Sequence, residues 1–338
     1  MSPMARVHRR AAWLALALLG ASLVLLGLGA AVGSTGLSDL RAFGQDPTAW
    51  PIVRDIRLPR TVGAWLAGAL LGLAGAVAQG LFRNPLADPF LLGSASGASL
   101  GVALALALFG INPVAASWLA ALGLTGAAFI GAMAAVLLTL ALARGVQHTL
   151  RLLLAGVIVG VVLGALGSLI TLLVPETLPA MQAFLLGSTG FIGWTACAPM
   201  ASAFVLCLLA AWIVSPVLDG LTLGEATARS LGLPLGPLRL ALVAVMALAT
   251  GAAVAQAGLI AFVGLAAPHL VRSVVRTTHA RLVGLSALAG GVLLLGADLL
   301  ARALIAPQEL PVGVLTAVLG GGYLLWLMQR GHGAGRTA

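Results

Sequence analysis

Lysine is absent from these 338 residues: all eighteen basic side chains are arginine, set against nine acidic ones. Charged residues make up only 8% of the chain and hydrophobic ones 61%, which excludes an ordinary soluble domain. A basic excess of nine would suggest nucleic acid if it gathered on a water-exposed face. Here the arginines fall between apolar runs, where they set membrane orientation instead, so no nucleic-acid partner is expected. Cysteine is scarce as well. Cys197 and Cys207 lie ten residues apart in one apolar run. On a helix that separates them by about 15 Å, too far for a disulfide, and they carry no metal or redox signal. No G-x-x-x-x-G-K-[ST] phosphate loop, H-E-x-x-H or G-x-S-x-G occurs. The chain is therefore not expected to be an enzyme, and uphill transport by it would draw on an ion gradient or a partner.

What is present is a series of long apolar runs at a mean hydropathy of +1.11. The candidate spans are Trp13–Gly33, Thr61–Leu81, Phe90–Gly110, Pro113–Ala143, Leu150–Val174, Gly190–Pro216, Leu240–Ala255, Gly258–Val275, Leu282–Ala306 and Val312–Met328. They predict an all-α polytopic membrane protein of about ten helices, forming one transmembrane domain over residues 1–338. The first run follows Arg6, Arg9 and Arg10 but is about twenty residues long, longer than a signal-peptide core, so a retained span is expected. Leu240 to Val271 has no charged side chain. A single helix of that length would reach about 48 Å against a hydrocarbon core of about 30 Å. The string AQAG, Ala255 to Gly258, is the expected break. With ten spans and both termini in the cytoplasm, only Arg41, Arg54, Arg57, Arg60 and Arg302 of the eighteen arginines face outward. Gly68 and Gly72, and Gly93, Gly97 and Gly101, recur every four residues and predict close helix packing.

Polar strings are few. In FRNPLADP, Phe82 to Pro89, Asn84 before Pro85 ends one helix, while Asp88 and Pro89 cap and start the next. In LTLGEATARSLGLPLGP, Thr222 and Glu225 read as a capping box, Gly232 as a C-terminal cap and Pro234 as a stop. The helix between them, Glu225–Leu231, is too short to stand alone in water and has to dock on its own membrane domain or on a partner. Asp298 and Arg302, four apart, are placed to pair on one helix face. His269 is expected to satisfy a backbone carbonyl and Tyr323 to sit at a membrane interface.

The strings RLPR, FRNPLADPFLLGSASGASLG, LRLLLAGV, GEATARSLGL, GLIAFVGLAAPHLVR and ADLLARALIAPQELPVGVLTAVLGG stand in order from Arg57 to near the C-terminus. This series resembles the permease subunit of bacterial type II ABC importers for iron-siderophore complexes, haem and cobalamin. The resemblance implies a ten-helix inner-membrane permease working as a homodimer in contact with membrane lipid. It also implies two ATPase subunits that carry the ATP and Mg, and a periplasmic binding protein that delivers the cargo. This chain would then hold no cofactor or metal itself. The cargo would be an iron chelate (ferric siderophore or haem), with cobalamin the alternative. By the same resemblance Asn84, Pro85, Leu86 and Thr149 line a cytoplasmic gate. Glu225, Ala228, Arg229, Leu231 and Gly232, within a coupling region of about 220–237, meet the ATPase. Arg57, Arg60 and Arg302 form the external dock for the binding protein. The rival class is an ion-coupled secondary transporter, for which Asp298 is the one intramembrane carboxylate on offer.

Overall fold

In hydrocarbon every backbone N–H and C=O has to be satisfied within the protein, so long apolar runs become helices. The computed structural model describes residues 3–33, 36–37, 49–109, 118–143, 149–230 and 232–333. Its helices are α1 (Pro3–Ala31), α2 (Ala49–Ile52), α3 (Leu58–Leu81), α4 (Ser94–Phe109), α5 (Trp118–Leu142), α6 (Thr149–Leu173) and α7 (Leu178–Leu186). They continue as α8 (Trp194–Thr222), α9 (Glu225–Ser230), α10 (Leu235–Ala257), α11 (Val263–Val274), α12 (His279–Ala303) and α13 (Val312–Gly333). A two-residue antiparallel ladder, β1 (Val32–Gly33) with β2 (Gly36–Leu37), follows α1. Among the described residues seven helices are long and apolar enough to cross a membrane. The apolar stretches Ser94–Phe109 and Val312–Trp326 are shorter. The all-α class is as expected; of the ten expected spans, seven correspond to helices of full spanning length among the described residues.

The core forms around α3, which packs on α8, α10, α11 and α12. In the helix running from Trp50 to Leu81, 89% of the most apolar stretch is buried inside the bundle, against 11% in α1. Leucines and valines of α1, α6 and α8 instead point outward, away from the core. The glycine spacing acts through close approach. A Cβ on Gly68 would strike the carbonyl of Gly290 in α12, and one on Gly97 or Gly101 would strike the backbone of α5. Gly93 packs closely on α6, where a Cβ would lie 3.3 Å from Gly160 N, and its φ of +81° also turns the chain into α4.

The AQAG break is present. α10 stops at Ala257, Gly258 adopts φ +69°, and residues 258–262 run non-helically before α11. That backbone is tolerated because it is covered by protein and bonded to the α7 end. Leu259 N–H donates to Phe184 O at 3.0 Å, and Ser188 N–H to Ala257 O at 2.9 Å. Helix boundaries shift elsewhere. The second span is helical from Ala49 onward, through a π turn at Val53–Arg57, rather than from Thr61. A 3-10 turn, Pro89–Leu92, precedes α4, which begins at Ser94 rather than Phe90. α8 runs through Pro216 to Thr222.

The two ends of the bundle are chemically distinct. Arg83 donates to Leu221 O at 3.4 Å, Asp219 accepts from His279, and one cavity touches Val7, Leu223 and Arg276. The start of α1, the ends of α3 and α8, and the α11–α12 link therefore share one end. At the other, Trp194 Nε1 donates to Arg54 O at 2.9 Å and Arg60 meets Glu309.

Candidate functional site

The turn after α3 is an exposed tip on buried anchors. Phe82, Ala87 and Pro89 are buried, whereas Arg83, Asn84, Pro85 and Leu86 are exposed, Leu86 at 51%. Hydrogen bonds stiffen it. Asn84 Oδ1 accepts from Leu86 N–H at 2.9 Å, Asn84 O from Ala87 N–H at 3.0 Å, and Asp88 Oδ1 from Phe90 N–H at 2.8 Å. Asp88 thus caps as its residue type suggests. Burial pushes its carboxyl up, opposed by that amide bond. Arg83 holds a left-handed backbone at φ +49°, a conformation a non-glycine residue takes only when its surroundings impose it. Thr149 opens α6; its side chain lies outside the described residues.

α9 follows the end of α8 directly. Ala228 is fully buried, while Ala226, Thr227, Arg229 and Ser230 form an outward face. The expected capping box is not what holds it. Thr222 Oγ1 donates backward to Asp219 O at 2.6 Å, and Gly224 O accepts the first helical bond from Ala228 N–H at 2.9 Å. Glu225 turns instead to Arg239 Nη2 at 2.5 Å and Arg229 Nη2 at 3.8 Å. Arg239, then the charges of Arg229 and Arg83, hold the Glu225 carboxyl below its usual range. The turn after α3 and α9 are therefore electrostatic neighbours. Gly232, at φ +77°, ends the helix as a left-handed cap, its N–H donating to Arg229 O at 2.9 Å. Leu231 lies outside the described residues.

At the opposite end the three singled-out arginines converge, but with their guanidinium groups turned inward. Arg57 Nη1 donates to Ala31 O at 3.1 Å, closing the end of α1. Arg60 donates from Nε and Nη2 to Asp298 Oδ1 at 3.3 and 3.0 Å, and pairs with Glu309 Oε2 at 2.8 Å. Thr189 Oγ1 donates to Asp298 Oδ1 at 2.5 Å. Arg302 Nη2 bonds Asp298 Oδ2 within the helix, as their spacing foretold. The Arg302 side chain is 1% exposed, its charge held against Asp298. Nearby, Asp55 lies 3.7 Å from Arg54.

Sequence reasoning missed two polar anchors, Glu309 and Gln79. Gln79 donates to Leu265 O at 3.1 Å and accepts from Arg272, tying α3 to α11. A buried glutamine in an apolar helix was the available signal. His269 packs edge-on against Tyr323, ring centroids 5.8 Å apart, rather than on a carbonyl.

The described residues thus form a helical bundle with seven helices apolar and long enough to cross a membrane, a stiff exposed turn and a short docked helix at one end, and a buried charge cluster at the other. The FecCD transport family matches residues 14–330. The hemin transport system permease of Yersinia pestis is 39% identical over 314 residues, covering 91% of this chain and 93% of its own. The vitamin B12 import system permease of Klebsiella pneumoniae is 40% identical over 285 residues, 83% of each. A solved structure described as an inward-facing metal-chelate type ABC transporter superposes with a TM-score of 0.83 at 29% identity, covering 93% of this chain and 98% of that one. The chain belongs to the FecCD transport family and is a multi-pass inner-membrane permease of a type II ABC importer.

Proposed function

We propose that this permease passes an iron chelate, a ferric siderophore or haem, across the inner membrane. It does so as one half of a homodimer served by two ATPase subunits, which bind the ATP and Mg, and by a periplasmic binding protein. The observation that carries the cargo is the 39% identity to a hemin permease over 91% of the chain. The similarity to a vitamin B12 permease supports cobalamin as the second reading. We read ten crossings with both termini cytoplasmic. α11, with twelve residues, spans about 18 Å, and the non-helical residues 258–262 join it to α10 as the eighth crossing.

In this reading the exposed face of α9 meets the ATPase. Its movement passes through Glu225 and Arg83 to the gate tip at Asn84, Pro85 and Leu86, with Thr149 of α6 at the same gate. Arg57 and Arg60 receive the acidic binding protein outside, and Arg302 backs them by holding Asp298. Vesicles holding the permease with its cognate ATPase and binding protein should take up haem or a ferric siderophore only with ATP. Retention of cobalamin alone by the binding protein selects the second reading. Uptake without the ATPase, driven by an ion gradient, would overturn both.

A further inference from the structure

The arginine-rich end carries two cavities that run into one another. One, of about 930 Å³, has Arg276 and Arg281 in its wall. The other, of about 590 Å³, is a groove backed by Trp65 and Phe204 and flanked by Leu285 and Leu288. His8 and Arg281 line both, so the basic cavity is the mouth of the apolar groove. Along α1 the groove follows His8, Ala11, Ala12 and Ala15, one helical face about 10 Å long. Arg276 and Arg281 are exposed, and neither is ion-paired among the described residues. Asp219, the carboxylate in the same wall, is already engaged by the backbone N–H of His279 at 3.0 Å and by its Nδ1 at 2.7 Å. A Cβ built on Gly284, in the groove wall, would meet nothing within 4 Å.

We propose that this groove between α1, α8 and α12 holds one anionic phospholipid, its phosphate at Arg276, Arg281 and His8 and one acyl chain against Trp65 and Phe204. A soluble anion would use the mouth but leave the groove empty. A zwitterionic lipid would fill the groove but gain little from two uncompensated arginines. Only an anionic amphiphile matches both halves, and the end of the bundle where it sits is the arginine-rich one, where basic pockets between helices select anionic headgroups. The inference stands apart from the identity of the cargo.

The test is native mass spectrometry of the full-length protein, released from detergent containing equal amounts of phosphatidylglycerol and phosphatidylcholine with identical acyl chains. We expect phosphatidylglycerol to be retained with a preference of about tenfold or more. Arg276→Gln with Arg281→Gln should bring the two lipids to parity. Gly284→Trp should empty the groove of both lipids, because its side chain enters open space. Equal retention of the two lipids by the native protein overturns the proposal whatever the variants do. So does undiminished phosphatidylglycerol binding in a well-folded Gly284→Trp protein. Loss of the lipid when the ATPase subunit is added would mark the mouth as that partner's surface, and also overturns it.

Discussion

Replacing Asp298 by asparagine keeps the shape of the side chain and removes its charge from a buried polar cluster. Asp298 is fully buried and takes bonds from Arg60, Thr189 and Arg302. The two arginines do not suffer equally. Arg60 retains Glu309, with contacts of 2.9 and 2.8 Å, and is 12% exposed. Arg302, 1% exposed, is left with the carbonyls of Gly29 and Val32 at 3.4 and 3.5 Å, both long and neutral. An uncompensated buried charge costs about 3–5 kcal/mol, so Asp298→Asn should lower the melting temperature by on the order of ten degrees. Arg302→Met should cost less, since Asp298 keeps Arg60 and Thr189. The double variant should be more stable than Asp298→Asn alone, because it removes the stranded guanidinium. The protein carries its own probe: Cys197 and Cys207 are free and only 5% and 1% exposed, so a thiol-reactive dye added in detergent reports unfolding. If Asp298→Asn melts with the native protein, or Arg302→Met proves the worse of the two, the charge ledger drawn here is wrong.

Three further outcomes are expected. Because Arg239 holds Glu225 below its ordinary range, their contact contributes fully above the unfolded carboxylate value of about 4.3 and is lost as the pH falls through the lower folded value. Glu225→Gln should therefore expose the α8–α10 link to protease at neutral pH and remove any acid-dependent step in its cleavage; an unchanged digestion pattern would count against the anchor. Gly75→Ala should destabilise by about 1–3 kcal/mol, since its Cβ would enter the Gly264 backbone, whereas Gly296→Ala, with nothing within 4 Å, should be tolerated; equal melting points for the two would refute the close-contact account. Cysteine placed at Leu86, 51% exposed at the turn tip, should crosslink between two permease copies with a yield that changes on adding ATP to the assembled importer; crosslinks only within one copy would place the tip away from the dimer axis.

Local chemistry in the sequence determined the helical class, the break at AQAG, the cap at Asp88, the left-handed stop at Gly232 and the Asp298–Arg302 pair. Each is governed by residues within about one helical turn of one another, where backbone geometry and side-chain type suffice. The glycine spacing likewise marked α3 and α4 as close-packing faces, though not their partners α12 and α5. Tertiary structure decided the rest. Asp298 meets Arg60 across 238 residues and Gln79 meets Arg272 across 193, contacts that no periodicity encodes. The capping-box pattern at Thr222 and Glu225 gave way because Arg239, fourteen residues on, offers Glu225 a charged partner at 2.5 Å, stronger than a backbone amide. Arg302, read as an outward charge from its place near the end of α12, is buried because α1 and α3 close over it and Asp298 supplies its counter-charge. Whether an arginine faces water or a carboxylate depends on which helices pack around it, and that packing exists only in three dimensions.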